Sequence, residues 1–177
     1  MRREEVKSIS AHARCTGPPG SYETWIDSAR RLRIRLRQES DRGAFHAVAN
    51  GDVAWTVDEE TGETALGDAS LVHAVRNHDF QMLALDPTRA TTPRFDEAGR
   101  LSGFSTTDSR DPSATIAVSY HEWREVRGVE LPVLVVVNAA EGSFQLRFDD
   151  ITLNAVDERL FAIPGSSPDG TRTPTST

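Results

Sequence analysis

A chain of 177 residues, 37% of them hydrophobic and carrying a formal charge of -7, is long enough for one domain with a sizeable core. Its acidic balance, with a pI near 5.2, excludes nucleic acid as the main partner, because that role needs a basic surface to neutralise phosphate. Cys15 is the only cysteine, which excludes an intrachain disulfide framework and a thiolate metal site, and no run approaches the ~20 apolar residues of a membrane span.

The opening MRREEVKSIS has basic residues with no apolar stretch behind them, so no signal peptide is visible. The chain as written reads as cytoplasmic, or as extracytoplasmic if a leader has been removed. From Val6 to Cys15 a loose alternation (Val6, Ile9, Ala11, Ala13) predicts a first strand, and Gly17-Pro18-Pro19-Gly20 predicts a turn. A second strand begins near Tyr22. Arg31 to Arg37 then alternates arginine with Leu32, Ile34 and Leu36, which separates the two residue types onto opposite faces of a strand.

Asn50-Gly51, between Ala44–Ala49 and Asp52–Val57, predicts a hairpin with a two-residue type I′ turn. Asp68 is placed to cap a helix in which Leu71, Val72, Val75 and Phe80 keep a helical spacing. That helix continues brokenly to Leu85 and stops at Asp86-Pro87. Arg94–Asp96 and Leu101–Phe104 flank a glycine-containing turn and predict another hairpin. Asp108 to Pro112 reads as a loop, and Ser113 to Asn154 reads as a meander of consecutive short strands. Asp157 to Phe161 gives a short terminal turn. Residues 165–177 hold only Ser, Thr, Pro, Gly, Asp and Arg and are expected to be disordered. Together these elements predict a mainly β, α+β domain over residues 1–164, an antiparallel sheet of about eight to nine strands with one helical insert.

No nucleophile elbow, phosphate loop, paired CxxC or dinucleotide fingerprint is present. His121 and Glu125 would face one another on a helix, but on a strand they stand ~13 Å apart, too far to share an ion. His73, His78 and Asp79 are the remaining metal-ligand candidates, with His12 and His46 able to join from neighbouring strands; the spacing is poor for joint ligation, so neither a metal nor a cofactor is expected. The arginine row Arg31, Arg33, Arg35 and Arg37 is the densest charge cluster; it either meets an anionic group or is a solvated face paired with acids on neighbouring strands. Trp25, Trp55, Trp123, Phe80, Phe104, Phe144 and Phe148 supply most of the large apolar surface, either as a filled core or as the lining of a cavity.

The hairpin Ala49-Asn50-Gly51-Asp52-Val53-Ala54-Trp55, the helical insert Leu71 to Leu85 and the turn Asp96 to Leu101 resemble the LolA/LolB-like superfamily of lipoprotein carriers. So do the strand joint Trp123 to Pro132, the strand Phe144 to Asn154 and the ending Leu160-Phe161-Ala162-Ile163-Pro164. The resemblance runs from about Ile9 to Pro164. It implies a strongly curved, incomplete β-barrel with a helical lid on its concave face, an apolar or lipidic ligand, and no enzyme chemistry. No family arginine transfers onto Arg30–Arg37. The expected function is a non-enzymatic binding module, with Trp55, Phe80, Leu83 and Trp123 as the cavity. Arg31, Arg33, Arg35 and Arg37 are the expected contacts for an anionic group. The alternatives are a protein-interaction domain with a filled core and, further off, a metal-dependent enzyme.

Overall fold

A computed structural model describes residues 1–18, 20–108 and 111–164. Pro19, part of the Asp108–Pro112 loop and the tail from Gly165 lie outside those residues. The described residues form one antiparallel sheet of eleven strands: β1 (Ser8–Gly17), β2 (Gly20–Ala29), β3 (Arg33–Ser40), β4 (Gly43–Asn50), β5 (Val53–Val57), β6 (Thr64–Leu66), β7 (Pro93–Phe95), β8 (Leu101–Thr107), β9 (Thr115–Val126), β10 (Val129–Ala139) and β11 (Gly142–Leu153). Between β6 and β7 run two helices, α1 (Ala69–Arg76) and α2 (Phe80–Leu85).

The strand order is β6-β5-β4-β3-β2-β1-β11-β10-β9-β8-β7, so β1 pairs with both β2 and β11 at the centre and the two three-residue strands form the edges. Eleven strands replace the expected eight to nine. β6 is the strand with no sequence signal, since Thr64-Ala65-Leu66 is too short to show a period. The Ser113–Asn154 meander is present as β9, β10 and β11, but its strands are long, at 12, 11 and 12 residues.

The sheet wraps round the helices. Helix α1 packs on β3, β4 and β5, while the imidazole Nε2 of His73, on the same helix, lies 3.0 Å from the Thr107 carbonyl and 3.3 Å from the Thr106 hydroxyl of β8. In a flat sheet at about 4.8 Å per strand, β5 and β8 would stand ~38 Å apart. An eight-residue helix is ~12 Å long. Both ends of the sheet therefore curl toward the helices without closing into a barrel.

The main core lies inside this curve. It draws on the inward rows Ile9, Ala11, Ala13 and Cys15 of β1, Ile34 and Leu36 of β3, and Leu146 and Phe148 of β11, against Val72, Val75, Phe80, Met82 and Leu83 of the helices. The expected helix is broken at Asn77–Asp79. Asp68 caps its first half through hydrogen bonds from the Ser70 and Leu71 amides, and Asp86-Pro87 ends its second. All of α2 but Leu85 is buried, which is why Gln81, polar and 2% exposed, must donate its amide to the Pro132 carbonyl at 3.0 Å.

The β4–β5 hairpin forms with its turn displaced by one residue. Asn50 pairs with Val53, and of the central residues only Gly51 has a positive φ (57°), the pattern of a type II′ rather than a type I′ turn. Asn50 stays in the strand because its side-chain amide donates to the Phe161 carbonyl at 2.9 Å. A second, small cluster (Ala29, Val48, Trp55, Phe161) lies on the outer face, where the chain's last described segment straps across β3 and β4.

Candidate functional site

At the end of the curved sheet nearest the β1–β2 and β10–β11 turns, the helices leave a pocket of about 410 Å³. Its floor follows from the pleat. Phe144, Val137 and Val118 stand opposite one another on β11, β10 and β9, and Leu146 pairs with Cys15, which pairs with Tyr22 on β2. All but Cys15 line the pocket, as does Ile116, two residues before Val118. Phe80 closes it from the first position of α2.

Polar groups at the helix break and the hairpin ends complete the wall: Asn77, His78, Thr106 and Glu141. A mostly apolar cleft of this size with a few polar groups has the character of a small-molecule site. The Nδ1–H of His78 donates to the Ala74 carbonyl at 2.8 Å, because a carbonyl only accepts, and Nε2 is left as an acceptor. Burial pushes the His78 pKa down, with the Ala74 carbonyl opposing, so the ring favours the neutral form. Burial pushes up both the Tyr22 phenol in the wall and the Cys15 thiol behind it, which makes Cys15 a packed, unreactive group.

Of the residues expected to line a cavity, Phe80 lines this pocket. Leu83 is buried in the main core from α2 at 5% exposure, and Trp123 packs half-buried against the same core from β9. Trp123 reaches the core because Glu122 takes a positive φ (47°), which breaks the alternation and lets both Tyr120 and Trp123 pack inward. Trp55 faces the other way, opposite Val48 in the outer cluster. Phe144, one of the aromatic residues expected either to fill a core or to line a cavity, is also in the lining, whereas Tyr22, Ile116 and Val137 carry no such expectation. Their signal was the cross-strand register of β9, β10 and β11, which the sequence displays only as alternation.

The arginine row divides. Arg33, Arg35 and Arg37 share the outer face of β3 and are paired: Arg33 with Glu158 at 3.1 Å, Arg35 with Asp27 at 3.4 Å, Arg37 with Glu59 at 3.1 Å and with Glu39. Arg37 also lies over the Trp25 ring, 5.0 Å from its centroid, with His12 stacked nearby on that ring. Arg31 is not in the strand; it sits in the β2–β3 turn.

The metal-ligand candidates are each engaged elsewhere. His73 contacts the end of β8, His78 the Ala74 carbonyl, and Asp79 the Arg89 guanidinium at 2.7 Å. No group of three His, Cys, Asp or Glu residues able to hold a metal occurs among the described residues.

No protein-family profile matches the sequence, and no curated protein matches it. Among solved structures, a LolA superfamily protein from Nitrosomonas europaea superposes with a TM-score of 0.52 over 89% of this chain and 90% of that one, at 10% identity. The fold is LolA-like. At that identity the likeness concerns the fold alone, and it matches the resemblance carried by the hairpin, helical insert and closing strands. The LolA-like arrangement places the helices inside an open, one-sheet curve, with the pocket between the helix break and the hairpin ends.

Proposed function

We propose that this chain is a non-enzymatic module that binds an apolar or amphiphilic ligand, of the lipid or acyl-chain class, in the pocket between Phe80 and the β9–β11 face. The observation that carries the reading is the pocket's lining: nine of its residues are apolar or aromatic, and the polar ones stand at the helix break and the hairpin ends. The LolA-like fold supports a carrier or binding role over catalysis, and no known catalytic motif joins the pocket's polar groups. Affinity would come from apolar area removed from water, about 25 cal/mol per Å² before the costs of association.

Displacement of a fluorescent fatty-acid analogue tests it. Saturable binding is expected, and Ala139→Trp, which places a large ring in the pocket from the end of β10, should weaken it about tenfold or more by excluding the ligand from an otherwise unchanged fold. Absence of saturable binding by the folded protein would remove the proposal. It would favour the alternative of a protein-interaction domain, a reading supported by α2 filling much of the space inside the sheet.

A further inference from the structure

At the other end of β2 from Tyr22 lies a second depression, of about 620 Å³, between the N-terminal segment, the β2–β3 turn and the C-terminal end of α2. We infer that this depression is a phosphate-binding site, for a phosphate that is either free or the headgroup of an amphiphile. It is separate from the apolar pocket and does not depend on the reading of that pocket.

Four arginines line it, Arg3, Arg30, Arg31 and Arg89, against two acids, Glu4 and Asp86. Both acids are engaged outside this set: Glu4 lies 3.6 Å from Arg2, and Asp86 accepts from the Thr88 hydroxyl. Arg30 donates to the carbonyls of Val6, at 2.9 Å, and Glu4, which fixes its guanidinium without cancelling its charge. The side chains of Arg3 and Arg31 make no hydrogen bond or ion pair among the described residues, unlike Arg33, Arg35 and Arg37 on the outer face. Arg89 holds Asp79 through one arm, and its Nε is buried with no partner. In a chain of net charge -7, four guanidiniums against two lining carboxylates make a local reversal of sign, even with Arg89 paired to Asp79.

The backbone adds an independent observation. Arg31 and Leu32 both adopt positive φ, 65° and 59°, in a turn that Asn and Gly fill without penalty. Residues held in left-handed conformations by their surroundings cluster at ligand sites. Here the conformation keeps Arg31 at the pocket's edge. Guanidinium forks suit phosphate oxygens, and Met82 and Leu85 on the same wall suit an apolar portion beside the phosphate.

The test is calorimetric titration of the full chain in an Ala139→Trp background, which occludes the apolar pocket. The probes are dodecyl phosphate below its micellar concentration, inorganic phosphate, and dodecyl maltoside as an uncharged control. Dodecyl phosphate is expected to bind and dodecyl maltoside is not. The pair Arg3→Ala with Arg31→Gly should weaken dodecyl phosphate about tenfold or more, as loss of charge-assisted hydrogen bonds predicts. The Arg31→Gly melt should lie at or above that of the parent, since glycine relieves the positive φ. Competition by inorganic phosphate identifies a site for the free ion. Binding of dodecyl phosphate alone, still lost in the double variant, identifies a headgroup site. No binding of either phosphate, equal binding of the maltoside, or an affinity unchanged in the double variant overturns the inference and leaves the fatty-acid test of the other pocket untouched.

Discussion

The Tyr120 hydroxyl donates to the Phe80 carbonyl at 2.9 Å, tying the first residue of α2 to the centre of β9 across the main core. Burial raises the phenol's pKa well above its ordinary value, with Asp79 adding to the rise, so the group stays protonated and remains a donor throughout the accessible range. Tyr120→Phe keeps the ring and its contacts with Phe104 and Trp123 while removing that donor. The expected cost is about 1 kcal/mol, or ~2–4 °C in Tm for a chain of this size. Thermal melts of the two proteins measure it, and an unchanged Tm would mean that packing alone holds α2.

Asp79 predicts an unusual pH dependence. It is fully buried at the start of α2, and burial raises its pKa from 3.8 to about 6 despite the opposing Arg89 guanidinium and Ser28 hydroxyl. One of its oxygens, Oδ1, lacks a hydrogen bond of normal geometry. A carboxyl whose folded pKa lies above its unfolded value favours the fold below the unfolded pKa, and that contribution is lost as pH rises through about 6. The whole effect is on the order of 3 kcal/mol.

His78 acts in the opposite sense, since its lowered pKa costs stability as pH falls, but it is common to the wild type and Asp79→Asn. The stability of wild type minus that of Asp79→Asn should therefore fall as pH rises from about 4 to about 6 and level off above it in urea denaturation. A difference independent of pH would show that Arg89 fully offsets the burial.

Much of this architecture was readable from local chemistry. The Asp68 cap, the stop at Asp86-Pro87 and the hairpin at Asp96–Leu101 depend on neighbouring residues, and each appears where the pattern predicts. Long-range placement was not readable. Trp55 and Ala54 are adjacent, and whether Trp55 faces the helices depends on which side of the sheet the insert covers. The helices cover the Ala54 side, so Trp55 meets Val48 and Phe161 on the outside. Arg31 likewise left the strand because tight turns at both ends of β3 fix where pairing begins.

Gly103 is required by its neighbours rather than by its own backbone angle. A Cβ built there would stand 2.3 Å from the Val118 carbonyl and 2.7 Å from Arg94 Nη2, which itself donates to that carbonyl at 2.8 Å. Gly103→Ala should push β8 away from β9 and cost about 1–3 kcal/mol, as overpacking does. Denaturation midpoints report it. Arg94→Ala in the same chain should recover part of the loss, because it removes the side-chain clash and leaves the carbonyl clash in place.

The outer cluster separates stability from binding. Phe161 is 1% exposed, packs with Trp55, Val48 and Ala29, and lies under the Arg33 guanidinium, 5.6 Å from its ring centroid. Phe161→Ala should cost about 3–5 kcal/mol by opening a cavity beneath the strap. The more conservative Trp55→Phe should cost less. Because this cluster lies across the sheet from the pocket lined by Phe80 and Phe144, fatty-acid affinity measured well below the melting temperature should stay within about twofold of wild type in Trp55→Phe. A large loss of affinity without a matching fall in Tm would return Trp55 to the ligand site.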